Sequence, residues 1–195
     1  MYKMNDVGIS LGKDCLPAGY GVTHGYRKTK ENNYKTCPFD LMMSNYISLV
    51  KCIKEDFANF TNPDFLIVNK DNLIINTYYD FWFNHESPYH ADLLYLKENW
   101  PEGPYHFVNN NYANFIKRYN KRITNFRNYL SDENNFITFI LHPTNLSVCE
   151  NNCKELQEAL LLIYPNLLYR IIIIKGPIPH VIEKTNIVKI IEKGE

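Results

Sequence analysis

No apolar run in this chain approaches the roughly 20 residues of a membrane-crossing helix. The longest, Phe136 to Leu141 and Ile171 to Ile174, are the length of strands, so no membrane association is expected. Charge of one sign is not in excess either. The 21 lysines and arginines balance 21 aspartates and glutamates, and no global field draws the chain to nucleic acid or to an anionic lipid surface. A secretory leader is missing as well, because Met1-Tyr2-Lys3-Met4-Asn5-Asp6 meets acid and glycine before any apolar stretch; an intracellular location is expected. Internal repeats, recognised RNA motifs and a glycine-rich phosphate loop are all lacking. Gly19-Tyr20-Gly21 has neither the spacing nor the preceding strand of a dinucleotide fingerprint.

The five cysteines (Cys15, Cys37, Cys52, Cys149 and Cys153) are an odd number without an export signal, which argues for reduced thiols over a disulfide framework. Cys149 and Cys153 with His142 lack the second closely spaced ligand pair of a structural zinc site, so they read as buried thiols. No metal and no cofactor is expected.

What is abundant is apolar and aromatic. Of the 195 residues, 45% are hydrophobic and 14% aromatic, enough for one sizeable core, and a single domain over residues 1–195 is expected, with 176–195 as a C-terminal hairpin appendage. Asparagine occurs 25 times, a usage expected of an AT-rich genome such as that of a large DNA virus.

Val7 to Leu11 reads as a strand closed by Gly12. Pro17 suits the first turn of a following helix, which puts Cys15 in a strand-to-helix turn. Gly19 to Lys35 reads as a long exposed loop. Ser44 is a plausible N-cap for a helix to about Phe57 packing through Ile47, Val50, Ile53 and Phe57. Phe65–Val68 and Leu73–Ile75 flank a polar turn as a hairpin, and Asn76 to Phe83 continues in strand-forming aromatics up to His85. Residues 88–111 read as a loop with a short helix near 91–98. A helix from about Asn111 to Leu130 carries an apolar stripe and, opposite it, Lys117, Arg118, Lys121, Arg122 and Arg127, read as a solvated face. Phe136–Leu141, a helix over about 149–164 and Tyr169–Ile174 form a right-handed βαβ unit, and Val181–Glu183 with Ile187–Ile191 a last hairpin. The expected fold is α/β: a mainly parallel or mixed sheet with helices on both faces in three layers, plus that hairpin.

In such a sheet, polar groups gather beyond the carboxyl ends of the strands. Four sets fall there: Ser10/Gly12/Cys15, His85/Glu86, His142 and Lys175. Cys15, at the start of a helix, is exposed to the positive end of its dipole, which favours thiolate. A nucleophilic thiol needs an imidazole to take its proton and an acid to orient that imidazole. His85, with Glu86 or Asp80 beside it, and His142 are the two candidates, and the spacing does not choose between them. A non-catalytic binding protein using the aromatic stretch from Trp82 to Trp100, and a sugar or nucleotide transferase, are the other readings this scaffold supports.

Ile9-Ser10-Leu11-Gly12-Lys13-Asp14-Cys15 followed by Cys37-Pro38-Phe39-Asp40 resembles the S-L-G-x-x-C … P-F/L-D opening of the papain-like cysteine peptidase family DUF1796. Tyr79 to Glu86, Tyr119 to Phe126 and Thr138 to Leu141 resemble later segments of that family in the same order. The resemblance implies a thiol hydrolase with Cys15 as nucleophile, His85 as base and Asp40 as orienting group, acting on a peptide or other acyl substrate, with the amides after Gly12 holding the oxyanion. It also implies a helical lobe against an antiparallel sheet, whereas the βαβ pattern implies parallel strands, and the architecture is read from the latter. Oligomeric state is left open.

Overall fold

The computed structural model describes residues 4–94, 99–142, 153–175 and 180–184. Along the chain run β1 (Asn5–Gly12), α1 (Leu16–Thr23), α2 (Tyr46–Lys54), β2 (Leu66–Val68), β3 (Ile74–Asn76), β4 (Phe81–Trp82), α3 (Ala91–Leu94), α4 (Asn109–Ser131), β5 (Asn135–His142), α5 (Cys153–Ile163), β6 (Tyr169–Lys175) and β7 (His180–Lys184). The main sheet has the order β1-β5-β6-β7, the first three strands parallel and β7 antiparallel to β6; β2, β3 and β4 form a small antiparallel sheet. The fold is mixed α/β.

Strand alternation sorts the main sheet into two faces. Ile9 and Leu11 of β1, Ile137, Phe139 and Leu141 of β5, and Ile171 and Ile173 of β6 point into the larger core with α2, α4 and α5. Ile140, Ile172 and Ile174 point the other way, under Tyr20 of α1. Fully apolar strands are the consequence of helices on both faces. The small sheet joins the larger core through an aromatic cluster in which Phe39 touches Phe57, Phe60, Phe81 and Phe126 at centroid distances of 5.7–6.2 Å.

Several expectations are corrected. The stretch from Gly19 does not open a loop, because α1 runs on to Thr23. Gly21 explains why: a Cβ there would lie 2.5 Å from Ile140 Cδ1, so glycine is what lets this helix sit down on the sheet. The N-cap of α2 is Asn45, whose side chain accepts from Ser48 N, and Ser44 serves elsewhere; Ile47 is 70% exposed, so Leu49, Val50, Cys52 and Ile53 carry the packing. Asn76 to Phe83 is not one strand. The Asn76 side chain accepts from the amides of Tyr78 and Tyr79, Asp80 takes a left-handed φ of 54°, and the chain reverses into β4. Helix α4 has left-handed residues at Asn110, Asn111 and Tyr112 and is regular only beyond them. Trp100 is buried against Phe107, not displayed for contact. Val181–Glu183 falls in β7, which pairs antiparallel with β6; the strand expected at 187–191 lies outside the described residues.

Candidate active site

The register Gly12↔His142 sets the carboxyl ends of β1 and β5 side by side. The chain leaving β1 turns sharply at Gly12, where a Cβ would lie 2.4 Å from Pro17 Cγ; the turn folds onto that ring and glycine is required by close approach. Cys15 then stands as the N-cap of α1, exposed.

His85 reaches it from the small sheet. The imidazole sits in a 3-10 turn, Asn84–Glu86, directly after β4, and its Nε2 lies 3.1 Å from Cys15 Sγ. Residues 43–44 stitch the two halves together. Met43 and Trp82 exchange backbone hydrogen bonds of 2.8 and 3.0 Å, while Ser44 donates from Oγ to the Gly12 carbonyl (2.6 Å) and from N to the Lys13 carbonyl (3.2 Å). One short segment therefore fixes both the thiol-bearing turn and the strand that delivers the imidazole. Ser87 braces the far side, donating to the Phe83 carbonyl and accepting from Ile74 N.

The three carboxylates expected near the imidazole each engage partners elsewhere. Glu86 is fully buried and turned into the core. Its Oε1 accepts from Arg118 (3.1 Å) and Arg122 (3.0 Å), its Oε2 from the Tyr119 hydroxyl (2.9 Å). Asp40 is also fully buried and accepts from Arg27 Nη2 (3.1 Å), the Tyr34 hydroxyl and the Cys37 amide. The Pro-Phe-Asp segment is thus an anchor: Phe39 fills the aromatic core and Asp40 ties down the loop carrying Arg27 and Tyr34. Asp80 is exposed and accepts from Trp82 Nε1. Glu86 holds His85 in place by pinning the next residue of the same turn. His142 faces Asp14, with Nδ1 3.4 Å from Oδ1, and the same oxygen accepts from Leu16 N at 2.9 Å. The side chains of Lys175, Cys149 and Cys153 lie outside the described residues, among which no group of three His, Cys, Asp or Glu is placed to hold a metal.

The electrostatics correct the expectation of a ready-made thiolate. Desolvation pushes the Cys15 thiol above its ordinary pKa, and the nearby carboxylates Asp14, Glu86 and Asp40 add to it, outweighing any gain from the helix start. His85 is pulled below its ordinary value, chiefly by desolvation, with His90, Arg122 and Lys30 contributing and Glu86 opposing. Both shifts favour a thiol paired with a neutral imidazole over a thiolate–imidazolium pair.

Residues 6–174 match the family model described as "Putative papain-like cysteine peptidase (DUF1796)". The chain belongs to this family. No curated protein and no solved structure matches it. The family match does not support the viral source expected from asparagine usage and the resemblance. Within the DUF1796 domain of this chain, the matched span runs from the start of β1 to the end of β6 and encloses Cys15 and His85. No helix among the described residues is long and apolar enough to cross a membrane.

Sequence reasoning missed the cluster around Glu86. The solvated reading of the α4 cations fails at Arg118 and Arg122, which reach the buried Glu86, and holds at Lys117, Lys121 and Arg127, the last paired on the surface with the exposed Asp56 at 2.9 Å. The spacing held a signal: Tyr119 lies on the apolar stripe, and Arg122 is its i+3 neighbour, on the edge of the buried face.

Proposed function

We propose that this DUF1796 chain is a cysteine peptidase, or a closely related thiol hydrolase, that works through Cys15 and His85. The observation that carries the reading is the 3.1 Å approach of Cys15 Sγ to His85 Nε2 between elements 70 residues apart. As substrate binds, His85 Nε2 takes the thiol proton and sulfur attacks the scissile carbonyl carbon. The tetrahedral oxyanion collapses to an acyl-thioester as the imidazolium returns the proton to the leaving amine. Water, deprotonated by His85, then releases the acid and restores the thiol. The amides of Lys13 and Leu16 are engaged by the His142 carbonyl and by Asp14, so the oxyanion falls to those of Asp14 and Cys15, which bond nothing among the described residues. The buried Glu86, the next residue of the same turn, positions His85 through the backbone.

The test is covalent labelling with a peptidyl electrophile followed by peptide mapping. Cys15 is modified first, the signal disappears in Cys15→Ala, and His85→Ala slows it about a hundredfold, the scale of a lost general base. Labelling that ignores His85, or that marks the buried Cys37 and Cys52 equally, overturns the assignment.

A further inference from the structure

Between α4 and the loop carrying Lys30 to Thr36 lies an open cavity of about 890 Å³, of the size that takes a small-molecule ligand. Its walls carry Lys30, Lys35, Lys117, Arg118, Lys121 and Arg122, and among the described residues no carboxylate lines it. Lys30 and Arg122 are near enough to His85 to depress its proton affinity, which places the cavity within electrostatic reach of the thiol and imidazole. Glu86, beneath the floor, answers two of the six cations, and none of the four lysines has an ion pair among the described residues. Lys117/Lys121 and Arg118/Arg122 are each i,i+4 pairs of like charge, an arrangement that works against the helix bearing them. The buried Arg122 points to what the charge is for. One terminal nitrogen, Nη2, is bonded to Glu86, while the other, Nη1, is shielded from bulk water and has no hydrogen-bond partner. That buried nitrogen finds no acceptor within the protein, so the positive charge behind this wall is only partly answered by Glu86.

We propose that this cavity is a binding site for a compact polyphosphate, in which Arg118 and the lysines around the mouth meet the phosphoryl groups and the buried Arg122 adds its positive charge from behind the wall. Phosphate groups deliver several charges within a few ångströms, as six clustered cations demand, whereas the carboxylates of an acidic peptide are spread along its backbone. The assignment stands apart from whether Cys15 is a nucleophile, because it concerns binding alone.

Isothermal titration of the full chain with inorganic tripolyphosphate tests it, with ATP and hexaglutamate as parallel titrants. One tripolyphosphate binds per chain. Lys117→Ala/Lys121→Ala, two exposed positions whose loss leaves the core intact, weakens binding at least about tenfold, and so does raising the salt from about 0.05 to about 0.5 M. Lys54→Ala/Lys70→Ala, exposed lysines elsewhere, leaves the affinity unchanged. ATP binding as well as or better than tripolyphosphate also supports the site, the better case identifying a nucleotide. Absence of binding at about millimolar titrant, equal weakening by the two lysine pairs, or tighter binding of hexaglutamate overturns it, the last in favour of an acidic peptide.

Discussion

Replacing Glu86 by glutamine removes one charge while keeping shape, and the geometry around it sets the cost. In the Gln variant the amide oxygen can still accept from Arg118 and Arg122, and the Tyr119 hydroxyl can rotate to accept from the amide nitrogen, so the number of hydrogen bonds is preserved. What is lost is the counter-charge of Arg122, whose side chain is only 10% exposed. Arg118, at 30%, is better solvated and contributes less. Removing one partner of a buried ion pair costs about 3–5 kcal/mol, and the surviving hydrogen bonds put this case near the low end, about 3 kcal/mol. Urea unfolding followed by tryptophan fluorescence reads this as a midpoint lowered by about 1.5 M for an m-value of about 2 kcal/mol/M. Glu86→Gln/Arg122→Met recovers part of the loss, because the stranded charge goes with the arginine. The same Gln substitution slows Cys15 labelling, since the turn presenting His85 loses its anchor. A midpoint drop below about 0.25 M, or a double variant less stable than the single, refutes the view that a buried carboxylate holds this turn.

Two further outcomes follow from the site. Desolvation holds His85 below its ordinary pKa and Cys15 above its own, so the base is already neutral around pH 7; turnover by the proposed hydrolase is expected to rise as pH climbs through the lowered His85 pKa, below about 6.5, and then to stay flat. Alkylation of Cys15 by iodoacetamide instead keeps rising from about pH 7 to about pH 9, and a rate independent of pH between about 5 and 7 would reveal a thiolate–imidazolium pair and sink the neutral-pair assignment. Gly12→Ala drives a Cβ to 2.4 Å from Pro17 Cγ, part of a ring with little freedom to yield. It costs about 2 kcal/mol, or about 6 °C in Tm by calorimetry, and an unchanged Tm refutes the tight-turn account.

Local pattern carried most of the secondary structure. The apolar runs at 136–141 and 171–174 state that both faces of those strands are covered, and with a helix between them they dictate parallel neighbours, as β5 and β6 are. The polar turn between Ile67 and Ile74 dictates the hairpin of β2 and β3. Cys15 in a turn between strand and helix was legible too, because glycine and proline act on the nearest few residues. Charge was not legible in the same way. Arg122 and Glu86 are 36 positions apart and each reads as solvent-facing on its own element; only the packing of α4 against the turn after β4 buries them together. The motif aspartate shows the same limit, since the chain announces Asp40 as a candidate for the site while its partners, Arg27 and Tyr34, arrive from a loop without periodicity. The choice between His85 and His142 likewise fell to the tertiary structure, for both end a strand and both are polar, and the bridge of Met43 and Ser44 to β4 and the Gly12 turn brings one of them to the sulfur. The sequence by itself determined the long strands and helices of the main sheet and where the thiol sits, because those depend on neighbours along the chain. Which imidazole meets it, and which charges are buried, depended on contacts between distant elements, whose energies no single segment contains.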